Sequence, residues 1–346
     1  MQPYTFDPLQ DSRWADFVAS DPRASVFHQL GWLKALALTY GYRPLVLTSA
    51  TPGEALSDGI VFCEVNSWIT GKRLVSLPFA DHAEPLVDDG ADESGLTDWM
   101  RTQRNAHKWK YIEIRPLSWK MQPGTSLIAS DSFWFHSLSL APSTEQLFRG
   151  LHKSCIQRRI RRAEHEQLSY ERGHSEELIN DFYRLQLITR RRHGLLPQPR
   201  AWFQNLIACM SPNVDIRLAR KDGKPIASIL TLSHRGTVVY KYGCSDERFH
   251  HLGAMPFLFW KLIEESKEAG AEQIDFGRTD LDNAGLIEFK DRLGATRRQI
   301  TYLRYPRSSQ ERGAVAKYLP WMRHIFSVLP DPLSSLAGRA LYRHIG

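Results

Sequence analysis

A concentrated group of ionisable residues lies in DFGRTDLDNAGLIEFKDRLGA, residues 275–295. Asp275, Arg278, Asp280 and Asp282 recur at intervals of two or three, and Lys290 follows on a stretch with helical spacing. Carboxylates beside cations suit the transfer of a group to an amine. The carboxylate orients or deprotonates the amine, and the cation steadies the negative charge that develops. Asp275 and Asp280 are the candidates for the first task, Arg278 and Lys290 for the second. The same residues also describe a charged loop in which Arg278 and Lys290 pair with neighbouring aspartates. Pattern alone weighs the two readings evenly.

A second candidate is Arg248-Phe-His-His-Leu-Gly-Ala, directly before a stretch of helical periodicity. Gly253 and Ala254 would let a ligand approach the backbone, and the first turn of a helix presents unbonded N–H groups and the positive end of its dipole. Arg248 and His251 would flank a phosphate seated there. An ordinary strand-to-helix connection has the same look. Tyr240 and Tyr242 stand at alternate positions of the preceding strand, so the pattern predicts that both line one cleft, with Tyr242 able to carry a proton. Cys244 has no His or Asp marked as its partner. The spacing of the His and Cys residues offers no metal-ligand set, so no metal is expected.

These groups need a scaffold, and the pattern supplies one. Val214–Arg220 and Pro225–Ser233 read as a hairpin, Thr237–Gly243 as a third strand, Gly253–Ala269 as a helix and Gln273–Gly277 as a further strand. Upstream, Ser143 or Thr144 caps a helix expected to run from Glu145 to about Gln167, with Leu147, Leu151, Cys155, Ile156 and Ile160 on one side. The opposite side is basic: Arg149, Lys153, Arg158, Arg159, Arg161 and Arg162. It reads as a solvated face or as a contact for a polyanion such as RNA, a lipid diphosphate or anionic lipid. Helices at 29–38 and 97–108 and strands from 43, at 60–65, 73–77, 111–115 and 133–140 make a looser version of the same α/β arrangement. The break Ala141-Pro142-Ser143 divides the chain into 1–143 and 144–305, followed by a basic helical tail, 306–346. The fold class expected is α/β (α+β), with mixed sheets flanked by helices.

Composition bounds the function without choosing it. The 346 residues carry a formal net charge of +7 and 42% hydrophobic residues, an ordinary globular balance with a modest preference for anionic partners. The four cysteines form no CxxC, the start resembles no leader and no apolar run reaches eighteen residues, so a cytoplasmic location is expected, with peripheral contact at the inner face of the membrane left open.

Several stretches carry a likeness: SVFHQLGWLKAL with GYRPLVL, GKRLVSLPFAD, HKSCIQRRIRRAE, YKYGCSDERFHHLGAMPFLFWKLIEESKEAG and DFGRTDLDNAGLIEFKDRLGA. In order, over roughly residues 20–305, the chain resembles the FemAB-like branch of the GNAT superfamily, which includes BioF2-like acyltransferase domains. The resemblance implies tandem GNAT-like domains, the first often degenerate and the second holding the donor site. It implies transfer of an acyl or aminoacyl group to an amine, from acyl-CoA or aminoacyl-tRNA. It places Lys290, the lysine of the Gly-Leu-x-x-Phe-Lys motif, at the donor or acceptor site. The usual pyrophosphate signature of GNAT proteins is Arg/Gln-x-x-Gly-x-Gly/Ala, and the spacing of ArgPheHisHisLeuGlyAla departs from it.

The function expected is an N-acyltransferase that moves an acyl group, acetyl from acetyl-CoA as first choice, to an amine of an amino-sugar or of an envelope, exopolysaccharide or peptidoglycan precursor. Two alternatives stand beside it: tRNA-dependent aminoacyl transfer, and a non-catalytic RNA-binding or scaffold protein with this fold.

Overall fold

The computed structural model describes residues 3–88, 93–120, 126–305, 330–344 and 346. In chain order the elements begin β1 (Tyr4–Phe6), α1 (Arg13–Ser20), α2 (Leu30–Tyr40), β2 (Arg43–Thr48), β3 (Ile60–Ser67), β4 (Gly71–Val75), α3 (Glu93–His107), β5 (Ile112–Ile114) and β6 (Ile128–Ser139). They continue with α4 (Thr144–Gly150), α5 (Arg158–His165), β7 (Ser169–Gly173), α6 (Glu176–Arg192), α7 (Arg200–Met210), β8 (Val214–Lys221), β9 (Lys224–His234) and β10 (Thr237–Ser245). The last are α8 (Ala254–Glu268), β11 (Gln273–Asp280), α9 (Ala284–Arg292), β12 (Thr296–Tyr305) and α10 (Asp331–Leu341).

The described residues pack as two units, those within 1–132 with 300–305 and 339–346, and those within 133–299 with 330–338. In the first, the strand order is β1-β2-β3-β4-β5-β12, mixed because β4 and β5 are parallel while the other pairs given a register are antiparallel. Its core is aromatic: Trp14, Phe27, Trp32 and Phe62 are fully enclosed. Arg73 of β4 donates to the carbonyls of Gly346 (2.8 Å from Nε) and His344 (3.0 Å from Nη2), which ties the end of the chain to this unit.

The second unit has the order β6-β11-β10-β9-β8-β7, again mixed, with β10 and β11 parallel. Alternation in β8 and β9 sends residues to both faces. Ala219, Ala227 and Ile229 pack with Ile156, Ile160 and the buried side of α8. α6 and α7 close the other face with Leu178, Phe182, Trp202, Phe203 and Leu206, all buried. α8 is apolar because it is nearly enclosed: Phe257, Leu258, Phe259, Trp260, Leu262 and Ile263 are all buried. Pro256 sits in its first turn, where its missing N–H costs no helical bond.

Three expectations are corrected. The single helix from Glu145 to Gln167 is two, α4 and α5, joined through a π-helical turn, Lys153–Gln157. The break comes at Leu151 and His152, both extended; the His152 ring accepts the N–H of Cys155 at 3.2 Å, and the Gln157 amide donates to the Leu151 carbonyl at 2.8 Å. These side chains replace the lost ladder bonds. β11 does not stop at Gly277 but continues to Asp280 through a bulge, since its register with β6 shifts between Asp275 and Arg278. Gly277 adopts φ +70°, a left-handed conformation in which a Cβ costs energy, and the Asp275 carboxylate accepts its N–H at 2.6 Å. Third, Tyr240 and Tyr242 do not point the same way, although both line the cleft described below. A register shift between them turns Tyr240 toward Phe259 of α8 and Tyr242 toward Trp202 and Phe203 of α7. In the tail, the stretch at 315–326 lies outside the described residues, and the stretch at 336–345 belongs largely to α10 and the 3-10 turn that follows.

Candidate active site

β10 and β11 pair over three residues only, Thr237–Val239 against Gln273–Asp275, although both strands continue. The cause is visible at the point of separation. Phe259, 1% exposed, puts its ring against Tyr240 (centroids 4.8 Å apart), the residue after the last pair on β10, and against Phe276 (5.7 Å), the residue after the last pair on β11. Phe289 of α9 closes the third side at 5.4 Å. The ring is a wedge. Burying it stabilises the fold by about 2–3 kcal/mol, and that gain holds the strands apart.

The fork opens into a cleft of about 1000 Å³. The edge of β10 from Tyr240 to Ser245 lines it along its length, with Ala254, Met255 and Pro256 at the start of α8, Leu286 and Phe289 of α9, and Ile156 of the π-helical turn. Five lining side chains are cationic: Arg159 on α5, Arg190 and Arg192 on α6, Lys241 on β10 and Arg292 on α9. The acidic ones are Asp246 and Asp280. Asp246 is neutralised, because Arg248 donates to both of its oxygens (2.9 Å from Nε, 2.5 Å from Nη2) and holds its carboxyl below the usual range. The cleft is therefore cationic, with cations around the start of a helix.

That start is tightly built. Gly253, at φ +79°, is the N-cap of α8, and a Cβ on it would strike the carbonyl oxygen of Arg159. The backbone of α5 can therefore lie against the α8 N-terminus only because residue 253 is glycine, which also brings Arg159 to that end of the helix. His250 contacts Arg192 (Nε2 to Nη1, 3.2 Å) and Ser245 Oγ (2.8 Å). Burial, then the charge of Arg192, keeps its ring neutral to lower pH than usual. His193 is shifted the same way by burial and by Arg192 and Arg190. An anion bound beside these imidazoles would raise their affinity for a proton.

The residues singled out from sequence fall into three groups. Tyr242, Asp280 and Ala254 line the cleft. Tyr242 is buried and its hydroxyl accepts a hydrogen bond from Trp202 Nε1 at 2.9 Å; Asp280 is exposed at the rim. Gly253 shapes the cleft from behind. Asp275, Arg278, Lys290, Arg248 and His251 are not among its lining residues. Asp275 is buried and holds the bulge of β11; Arg278 lies over the ring of Phe133 at 4.1 Å; Arg248 is bound to Asp246; His251 is exposed in the turn before α8.

Lys290 is the most informative of these. It is 3% exposed and its ammonium donates to the carbonyls of Gly277 and Arg278 (both 3.2 Å) and to Thr279 Oγ1 (2.8 Å). It braces the bulge of β11 from α9. Behind it His136 is fully buried, and burial with the Lys290 charge pushes its imidazole down to about 4. Cys244 is enclosed with its thiol pushed up by burial, which leaves it no nucleophilic role. Sequence reading passed over Arg190, Arg192, Gln186 and Thr189 on α6 and the wedge Phe259. The run Arg190-Arg191-Arg192-His193 spans the end of α6 and the residue after it, and its spacing carries no mark of a cleft. Among the described residues no group of His, Cys, Asp and Glu could hold a metal ion.

Comparison with known proteins agrees with this geometry. Residues 152–291 match the family model described as an acetyltransferase (GNAT) domain. The fold is similar to that of FemX, at 14% identity and a TM-score of 0.66, covering 93% of this chain and 100% of that one. It is similar to L-PGS from Bacillus licheniformis (12% identity, TM-score 0.51, 88% and 91% covered). It is also similar to a tandem GNAT protein from the clavulanic acid biosynthesis pathway (11%, 0.56, 88% and 97%). No curated protein sequence matches the chain. At such identities the structural likeness is one of fold, and the matched domain supplies the cleft just described. Residues 152–291 thus match a GNAT acetyltransferase domain, within a chain whose fold is similar to that of FemX.

Proposed function

We propose that the protein is an N-acyltransferase that takes an acyl group, acetyl in the first instance, from acyl-CoA and delivers it to the amine of an amino-sugar or envelope-polysaccharide precursor. The observation that carries this reading is the cationic cleft that opens where β10 and β11 part. A thioester donor with a pyrophosphate fits such a site: the phosphates against the first turn of α8 with Arg159 and Arg192, the extended arm along the unpaired edge of β10. FemX and L-PGS, by the names they carry, belong to envelope chemistry, which supports the choice of acceptor.

The reaction forms a C–N bond and breaks a C–S bond, and the chain has groups for each demand. The cleft holds carbonyl carbon and amine together, which supplies much of the rate. The main-chain N–H of Lys241, the residue skipped in the pairing of β10 with β9, receives the developing oxyanion. Asp280, the cleft carboxylate at the rim, takes the proton the amine loses, directly or through water. The Tyr242 hydroxyl, already accepting from Trp202, returns a proton to the departing thiolate.

A second reading, aminoacyl-tRNA as donor, is favoured by one feature: Lys153, Arg158 and Arg161 are exposed beside Arg159 and continue its charge away from the cleft. Calorimetry with acetyl-CoA and with an aminoacylated RNA acceptor stem separates the two. We expect acetyl-CoA to bind, and Arg159→Gln with Arg192→Gln to weaken it by about tenfold per lost charge-assisted contact. Heat from the RNA alone, with none from any acyl-CoA, overturns the first reading.

A further inference from the structure

Arg192 ends α6 with its guanidinium between two imidazoles. Its Nη1 lies 3.2 Å from His250 Nε2, and its Nη2 lies 3.2 Å from His193 Nε2. A guanidinium has donors only, so each Nε2 presents its lone pair and each ring carries its proton on Nδ1. The hydrogen bonds alone therefore describe two neutral rings. Burial first, and then the adjacent arginines, push both in that direction.

Ser245 completes the group. Its hydroxyl lies 2.8 Å from His250 Nε2 and donates there beside Arg192. Its backbone is pinned to α6: the Ser245 N–H donates to Thr189 Oγ1 at 2.8 Å, and the Thr189 hydroxyl donates to the Ser245 carbonyl at 3.1 Å. A hydroxyl can reverse its role. A His250 ring that gains a proton at Nε2 donates to the same Ser245 Oγ and releases Arg192.

The charges around the two rings all belong to the second unit. Arg192 and Arg190 of α6 oppose a proton on His193, and Arg192 with Arg159 of α5 opposes one on His250. Glu247 favours a proton on both, and Asp246, already bound by Arg248, favours one on His250. His251 is exposed on the same turn. Lys241 of β10 and Arg292 of α9 add to the cations of the cleft, and α8 brings no ionisable residue before Lys261. The balance is positive, so an incoming anion is what tips it.

We infer that Arg192, His193 and His250 form a proton-coupled seat for a doubly charged oxyanion, a phosphate or sulfate group. The anion takes guanidinium donors that the imidazoles now hold. Each imidazole so released takes a proton from solvent at Nε2 and becomes a donor itself. The inference rests on the reading of the cleft as the seat of the donor's phosphates, and adds a coupling to it. The occupied seat holds more protons than the free one, so affinity rises as pH falls, by up to about tenfold per pH unit for each proton taken up.

Calorimetry of the full chain with sodium sulfate tests it, because sulfate stays fully ionised across the range and takes up no proton itself. At constant ionic strength, affinity should rise by about tenfold between pH 7.5 and pH 5.5. Paired amine buffers of different ionisation heat should show the uptake of protons. His193→Gln with His250→Gln keeps acceptors for Arg192 but cannot titrate. This variant should lose both the pH dependence and the proton uptake, whereas a merely structural role would weaken binding alike at every pH. Both positions are exposed, so its urea midpoint at pH 7.5 should hold. Uptake that survives in the double variant, or equal wild-type affinity at every pH, overturns the inference and leaves the donor reading in place. Absence of sulfate binding also overturns it. The donor reading then stands if acetyl-CoA binds and falls as well if acetyl-CoA does not.

Discussion

Replacing Lys290 by methionine keeps the reach of the side chain and removes the ammonium alone. Three hydrogen bonds go with it, two of them to the carbonyls of Gly277 and Arg278 in the bulge of β11. A buried carbonyl left without a donor costs about 1–3 kcal/mol. Two such acceptors would cost about 2–6, but relieving a buried ammonium of its desolvation offsets a few kcal/mol. The expected net loss is about 1–3 kcal/mol in urea unfolding followed by circular dichroism. Transfer should fall with stability, through a misplaced β11, while the pH profile of the remaining activity keeps its shape. Lys290→Arg should not rescue, because a larger head has no room at a site 3% exposed. An amine-reactive reagent read by mass spectrometry should label Lys290 slowly, with or without acetyl-CoA. A methionine variant as stable as wild type but inactive, or rapid labelling that the donor prevents, refutes the brace and returns Lys290 to contact with the reacting molecules.

Two further outcomes follow from burial and backbone. His28 is fully buried in the first unit and its imidazole is pushed down to about 4, chiefly by burial. Between that value and the ordinary 6.5 the unfolded chain binds a proton that the folded chain refuses, so stability falls as pH drops through this window, by up to roughly 3 kcal/mol from this residue. Urea midpoints at pH 7.5, 5.5 and 4.5 check it, and a midpoint level across that range contradicts the assignment. Gly277→Ala places a Cβ at φ +70° and should cost about 1–2 kcal/mol by the same unfolding measurement; an unchanged midpoint would mean the bulge relaxes without strain.

The run from β8 through β11 was legible because each element has one period and ends on its own turn residues. Alternation marks β8 and β9, and the apolar turns of α8 end at Gly270, at φ +77°. What escaped was set by single side chains acting across the backbone. The periodicity of Leu147, Leu151, Cys155, Ile156 and Ile160 passes unbroken through the gap between α4 and α5, so only the His152 and Gln157 hydrogen bonds reveal the break. One extra residue near Lys241 moved Tyr240 and Tyr242 to opposite faces, which no count of alternate positions shows. In the site, Lys290 drew attention by its charge and proved to be an internal support. Arg190 and Arg192, some fifty residues upstream of the strand they face, carried no local mark of the cleft they line.

The wedge at Phe259 makes cleft width and core volume one variable. A mutation that would widen the fork for a bulkier acyl group must enlarge what stands between Tyr240 and Phe276, and one that would narrow it must open a void in the core of the second unit. Divergence toward new donors is therefore expected to leave Phe259 alone and to act on the wall at Leu286 of α9, where volume can change while the hinge of the two strands stays fixed.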